Sequence, residues 1–201
     1  MKFALLLCTY NEPSRCKMYE DVIDWWIEKK EFDIYAIDSF NNVFSNKIES
    51  NVKTLHFDQN PFSNSKNQTD LELISLNEAY NVFGTEWENK YDYIIKLTAK
   101  YKLPELTYTF LTSHVKLVDY DIVCQYKIQE YGNKDWQNTE LVLFNTKKMK
   151  YVIDTLTKLK HKGDLEKRIW YFSRDSKYIS LTKLSNISKY KRRIGDCLTF
   201  L

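Results

Sequence analysis

An uninterrupted apolar run, Phe-Ala-Leu-Leu-Leu-Cys at Phe3–Cys8, constrains the architecture of this chain more than any other feature. A strand with one wetted face alternates apolar and polar residues; this one does not, so both of its faces must be covered. Covering both faces takes helices on both sides of a sheet, and the chain supplies helical patterns in turn. Lys17–Lys30 reads as a helix, with Met18, Val22, Trp25 and Trp26 recurring on one face. Phe32–Ile37 and Val52–Phe57 read as further strands, and the Asn- and Ser-rich stretch from Asp58 to Gln68 as a loop. Thr69 followed by Glu72 has the capping-box spacing, which starts a helix reaching about Phe83.

The same alternation continues to the end of the chain. Tyr91–Leu97 is a strand, and Pro104 opens a helix at its first turn. Asp121–Tyr126 and Glu140–Asn145 are strands. Lys147–Leu159 is a helix with Met149, Val152, Ile153 and Leu156 inward, and Asp164–Ser173 is one with Leu165, Ile169 and Phe172 inward. Lys177–Leu201 is basic and weakly periodic. Strand–helix alternation predicts an α/β fold: a three-layer, Rossmann-like, mostly parallel sheet flanked by helices. A length of 201 residues without repeat or linker predicts one domain over residues 1–201. With only 4 Gly and 3 Pro, a hairpin-rich sandwich is disfavoured.

Several function classes lose support at this stage. A net charge of +3, with no recognisable module, argues against nucleic acid as a partner. The N-terminal apolar run is too short to span a membrane and lacks a small-residue cleavage site. Cys8, Cys16, Cys124 and Cys197 show no Cys-x-x-Cys spacing, so a zinc site is not indicated. Cys8 and Cys124, inside apolar runs, read as buried free thiols of a reducing, cytoplasmic compartment. His56, His114 and His161 are too far apart to form a ligand pair at helix spacing. Neither a Gly-x-Gly-x-x-Gly loop nor a phosphate-loop pattern occurs, which demotes kinases, P-loop ATPases and simple dehydrogenases.

Ligands of open α/β sheets bind beyond the carboxyl ends of the strands. Three such ends carry chemistry here. The first strand runs into Thr9-Tyr-Asn-Glu-Pro-Ser-Arg15, the second into Asp38-Ser39, and the fourth into Lys96-Leu-Thr-Ala-Lys-Tyr101. Thr9 and Asn11 suit a nucleoside, and Asp38 suits a ribose hydroxyl or the N–H groups of a base. Lys96, Thr98 and Lys100, with Lys66 and Arg15, suit an anion such as a diphosphate.

Thr9-Tyr-Asn, Ile37-Asp-Ser and Lys96-Leu-Thr-Ala-Lys-Tyr-Lys-Leu together resemble the small glycosyltransferases with a GT-A nucleotide-sugar-binding fold. The bacterial surface-polysaccharide and large-virus glycan enzymes of this kind read Lys-Ile/Leu-Thr-Gly-Arg/Lys-Tyr after the fourth strand. Ser65-Lys66 with Glu72 is similar to their Lys-Gly-x-x-Glu element. The resemblance spans Lys2 to Thr146; Ala99 and Asn67 stand where those proteins carry Gly.

The resemblance implies transfer of a sugar from a nucleotide-diphosphate-sugar, UDP-type favoured, to a glycan or related saccharide acceptor. Residues 1–100 would form the nucleotide-binding half and residues 101–201 the acceptor-side half. Thr9, Asn11, Arg15, Asp38, Ser39, Lys66, Lys96, Thr98 and Lys100 would hold the donor. Asp135, Glu140 and Glu166 are the carboxylates that would take the acceptor's proton, and Trp136 would stack on a sugar. Many relatives bind Mn²⁺ or Mg²⁺ through Asp-x-Asp after this strand, where the present chain has Lys96-Leu-Thr. Asp119-Tyr-Asp121 matches in letters but precedes a strand, so no metal ligand is assigned and cations must neutralise more of the leaving charge. The basic stretch with Lys189, Lys191, Arg192 and Arg193 reads as a solubilising tail. Two other readings stand beside this one: an inert nucleotide- or glycan-binding module, and a nucleotidyltransferase of related fold. The latter usually has a Gly-rich loop after the first strand, and Thr9–Arg15 has no Gly.

Overall fold

The apolar run at the N-terminus forms β1 (Phe3–Thr9), and it lies inside the sheet, hydrogen-bonded on both edges. A computed structural model of the chain describes residues 1–60, 67–104, 106–114, 120–124, 139–175, 180–181, 190–192 and 198–200. Ser65, Lys66, Asp119, Asp135, Trp136, Lys189, Arg193 and Cys197, singled out in the sequence, lie outside the described residues.

The remaining strands of the main sheet are β2 (Asp33–Asp38), β3 (Lys53–His56), β4 (Tyr93–Thr98), β5 (Ile122–Cys124), β6 (Leu141–Asn145) and β7 (Ser180–Leu181). Their order is β3-β2-β1-β4-β6-β5-β7. β3, β2, β1 and β4 run parallel, β6 runs antiparallel to both of its neighbours, and β7 is parallel to β5. β8 (Tyr190–Arg192) and β9 (Leu198–Phe200) pair separately and antiparallel. The sheet is thus mixed and mainly parallel, the α/β arrangement that the strand–helix alternation predicts.

Helices cover both faces: α1 (Cys16–Lys29), α2 (Asn46–Asn51), α3 (Gln68–Lys90), α4 (Tyr108–His114), α5 (Met149–Lys158) and α6 (Leu165–Asp175). The pleat of β1 divides its side chains between two cores. Phe3, Leu5 and Leu7 pack in one cluster with Val22, Ile23 and Trp26 of α1, Ile48 of α2 and Leu111 of α4. Ala4 and Leu6 pack in the other with Leu73, Leu76 and Trp87 of α3, Val152 of α5 and Ile169 of α6. This two-sided burial is why no polar residue interrupts the run.

Four local expectations shift. The buried face of α1 centres on Tyr19, Val22, Ile23 and Trp26, leaving Met18 and Trp25 only partly covered. α3 is capped by Asn67, whose side-chain carbonyl accepts the Asp70 N–H at 2.9 Å, two residues earlier than a Thr69 cap. Thr69 lies inside the helix, and its hydroxyl accepts the Leu165 N–H at the start of α6. α3 also runs on through Gly84 to Lys90. Gly costs a helix interior about 1 kcal/mol, but Trp87, fully buried against Tyr35 and Phe83, anchors the last turns. Pro104 sits in a turn and α4 starts at Tyr108, because Leu103 and Leu106 turn inward together through a Leu106 N–H to Leu103 bond. Among the described residues no helix is long and apolar enough to cross a membrane.

Candidate functional site

Because β6 runs against its neighbours, its start reaches the same end of the sheet as the ends of β1, β2 and β4. A cavity of about 960 Å³ opens there, closed at the sides by the first turns of α3 and α6. Thr9, Arg15 and Ser39 line it on the β1–β2 side; Lys96, Thr98 and Lys100 line it along β4 and beyond; Glu140 and Glu166 line it from the start of β6 and the first turn of α6. With Gln59, residues from seven separate stretches of sequence meet in one place.

Asn11 and Asp38 are positioned differently from the expectation of direct ligand contact: neither lines the cavity. Asp38 is 0% exposed. One carboxylate oxygen accepts from the Thr9 hydroxyl at 2.9 Å and the Asn11 N–H at 2.7 Å; the other accepts from the N–H groups of Phe40 at 3.2 Å and Asn42 at 2.8 Å. Four bonds to one carboxylate tie the loop after β1 to the loop after β2. Ser39 adds to the tie, donating its hydroxyl to Thr9 O at 3.1 Å. Asn11 is buried, and both polar atoms of its side-chain amide lack a hydrogen-bond partner among the described residues.

Lys96, read from the sequence as a diphosphate-facing cation, lines the cavity but has protein partners. Its side chain is 2% exposed, and its ammonium forms an ion pair with Glu72 of α3 and donates to Thr139 O at 2.9 Å. Burial, the largest single influence, works against that charge, but the neighbouring groups together, Glu72 foremost, outweigh it, and the ammonium is held above its ordinary range. The chain of contacts goes on, since the Thr139 hydroxyl donates to Glu166 at 3.0 Å. One polar string, Glu72–Lys96–Thr139–Glu166, thus joins α3, β4, the start of β6 and α6. Beside it, burial pushes the Cys8 thiol up to about 12, with Lys96 pulling down and Glu72 pushing up, so this thiol is a poor nucleophile. The Tyr101 hydroxyl donates to Glu140, and the Lys100 ammonium lies 5.3 Å from the centre of the Tyr101 ring. Arg15 pairs with Glu12 at 2.7 Å, with half of its side chain in solvent.

A second buried ion pair lies outside the cavity lining. Arg168 of α6 is 0% exposed; it meets Asp70 of α3 at 2.9 Å and donates to Gly163 O at 2.7 Å. Asp70 lies two residues before Glu72, and Arg168 two residues after Glu166. The sequence reading missed this pair, as it missed the cavity-lining Tyr10, Gln59, Gln68 and Ser75. Its only local signal is a basic residue, Arg168, next to the apolar Ile169 on the inward face of α6.

The described residues contain no group of three or more His, Cys, Asp or Glu able to hold a metal ion. Asp121 is buried at the start of β5, where its carbonyl accepts the Asn145 N–H. β5 has the direction of β4, so that start lies at the far end of the sheet from the cavity. The described carboxylates at the cavity are engaged by Lys96, Tyr101 and Thr139 and do not form a divalent-cation cradle.

No protein-family model matches the sequence, and no curated protein matches it either. Solved structures do match the fold. A glycosyltransferase involved in glycosylation of the major capsid of PBCV-1 superposes with a TM-score of 0.56 at 7% identity, over 91% of this chain and 83% of that one. Mouse xyloside xylosyltransferase 1 gives 0.51 at 8% identity, over 90% of this chain and 84% of that one. A fragment of S. aureus TarS in complex with UDP-GlcNAc gives 0.50 at 12% identity, with 96% of this chain covering 59% of that one. The chain has the three-layer fold of GT-A-type glycosyltransferases.

Proposed function

We propose that this protein is a glycosyltransferase that moves a sugar from a nucleotide-diphosphate-sugar to a saccharide acceptor. The observation that carries the reading is the location of the cavity. It spans the end of β1 and the end of β4, where the strand order reverses direction, the point at which open α/β sheets bind nucleotides. A solved structure of the same fold, TarS, holds UDP-GlcNAc, which supports a UDP-type donor.

In this reading the nucleoside lies on the β1–β2 side, against Thr9 and Ser39. Asp38 and Asn11 act one step back, Asp38 holding the two loops together through the Thr9 hydroxyl and the Asn11 N–H. Lys100, Thr98 and Arg15 face the diphosphate, joined by Lys66. The sugar lies toward β6, between Glu72 and Glu166. In an inverting course the acceptor oxygen bonds to the anomeric carbon as the bond to the diphosphate oxygen breaks. Glu166 accepts the acceptor's proton, with the Thr139 hydroxyl orienting it, and the nucleoside diphosphate leaves with the bonding electron pair. Glu140 and Asp135 are the other carboxylates proposed for that proton. Lys100 and Arg15 offset the charge that develops on the leaving group, and no step is routed through a metal ion.

Calorimetry with UDP and UDP-GlcNAc, with and without Mn²⁺, tests the reading. Binding by the wild-type protein, weakened about tenfold by Lys100→Ala with an unchanged melting temperature, is the expected result. Absence of nucleotide binding would sink it. Binding without transfer or donor hydrolysis would favour an inert binding module instead.

A further inference from the structure

One string of cavity residues has an uneven charge balance. Glu72, Lys96, Thr139 and Glu166 all line the cavity and are joined to one another, two carboxylates to one ammonium. That ammonium is already committed to Glu72 and to Thr139 O. Glu72 meets the Lys96 ammonium directly, and Glu166 is joined to it through Thr139, so two carboxylates share one string with one buried cation. A carboxylate accepts about four hydrogen bonds; Glu166 spends one of these on the Thr139 hydroxyl. The remaining capacity suits hydroxyl or amide N–H donors. It is hostile to a further anion, because like charges brought together in a partly desolvated site repel strongly. Arg15 and Lys100 line the same cavity from the loops after β1 and β4 and are not part of this string.

Resting on the nucleotide-sugar reading, we propose that this Glu72–Lys96–Thr139–Glu166 string is a specificity device: it accepts donors whose sugar is uncharged and rejects donors carrying a uronate. The neutral sugar presents hydroxyls to Glu72 and Glu166. A carboxylate at the sugar's C6 position meets a net negative wall whose one cation is already neutralised.

The test compares donors that differ only at that position. Dissociation constants for UDP, UDP-glucose and UDP-glucuronate, and in parallel for GDP, GDP-mannose and GDP-mannuronate, are measured by calorimetry on the wild-type protein. The uronate member of the series that binds is expected to be weaker than its neutral partner by roughly tenfold or more, the penalty of a like charge in such a site. Glu166→Gln, measured for binding alone so that any loss of turnover is irrelevant, is expected to narrow that gap by strengthening the uronate. Equal binding of the neutral and uronate donors would overturn this inference alone, as would a gap that Glu166→Gln leaves unchanged. Failure of both UDP and GDP to bind would overturn the nucleotide-sugar reading and this inference with it.

Discussion

Two buried ion pairs lie two residues apart on α3, and they answer to different demands. Asp70–Arg168 is enclosed: the guanidinium is 0% exposed, away from the cavity, and tied also to Gly163 O and Leu156 O. Glu72–Lys96 buries only its cation; the Glu72 side chain keeps 32% of its surface open in the cavity wall. If Asp70 is lost, the Arg168 guanidinium keeps only, among the described residues, the carbonyl oxygens of Gly163 and Leu156, whereas Asp70 itself also has Lys160 at 3.4 Å. The second pair has water, or a ligand, on one side. Breaking a buried pair costs more than the pair is worth, because an uncompensated charge remains. That penalty falls fully on the first pair and only partly on the second.

The largest expected effect is therefore at Asp70. Asp70→Ala strands Arg168 and is expected to cost about 3–5 kcal/mol in urea unfolding. Asp70→Leu combined with Arg168→Met, which removes both charges, should recover most of it. Lys96→Met leaves Glu72 free to take up water but orphans Thr139 O, with an expected cost of about 1–3 kcal/mol. A loss as large as that of Asp70→Ala would break the distinction between the pairs. Asn67→Ala removes the cap of the turn from which both acids project and should cost about 1 kcal/mol, lowering the melting temperature of both single variants further.

Two pH dependences sharpen the comparison. The Lys96 ammonium is held above its ordinary range. Its contribution is thus fully present below the unfolded lysine value and is lost as pH rises through the higher folded value. The wild type should weaken along that alkaline limb, while Lys96→Met should not show this component. The smallest effect lies at the other end of α3, where Glu86 pairs with Lys53 and Lys90 near solvent. Those partners hold its carboxyl down to about 2 from 4.5. Its contribution is present above the ordinary value and lost as pH falls toward 2, so Glu86→Gln should flatten the acid limb slightly, the exposed lysines being screened by salt. A double-jump or titration monitored by Trp fluorescence reads both limbs.

Legibility in the sequence follows how local the physics is. β1, β2, β4 and β6 are apolar runs whose composition alone demands two-sided burial, and the elements they form start or end within a residue or so of the expectation. Thr9, Ser39, Thr98, Lys100, Glu140 and Glu166 could be named as cavity residues because strand ends sit where α/β sheets bind ligands. Pairings across long sequence separations were not legible. Nothing local says that Lys96 will be met by Glu72, or that Arg168 will turn into the core to find Asp70. Nor does an Asp at a strand end declare whether it faces a ligand or four backbone and side-chain donors, as Asp38 does. The antiparallel course of β6, which delivers Thr139 and Glu140 to the cavity, also leaves no trace in a run of five apolar and polar letters.

That reversed strand has a consequence for synthesis on the ribosome. β6 is made after β5 yet lies between β4 and β5 in the sheet. When Thr98 leaves the exit tunnel, β3, β2, β1 and β4 can already pair in parallel, but one edge of β4 has no partner until Asn145 has left the tunnel as well. At about 5–20 residues per second, that edge stays open for roughly 2–10 s. An apolar edge of this kind templates aggregation unless a charge interrupts it. In Tyr93–Thr98 the interrupting charge is Lys96. The residue that later sits at the floor of the cavity is also the gatekeeper of the nascent sheet.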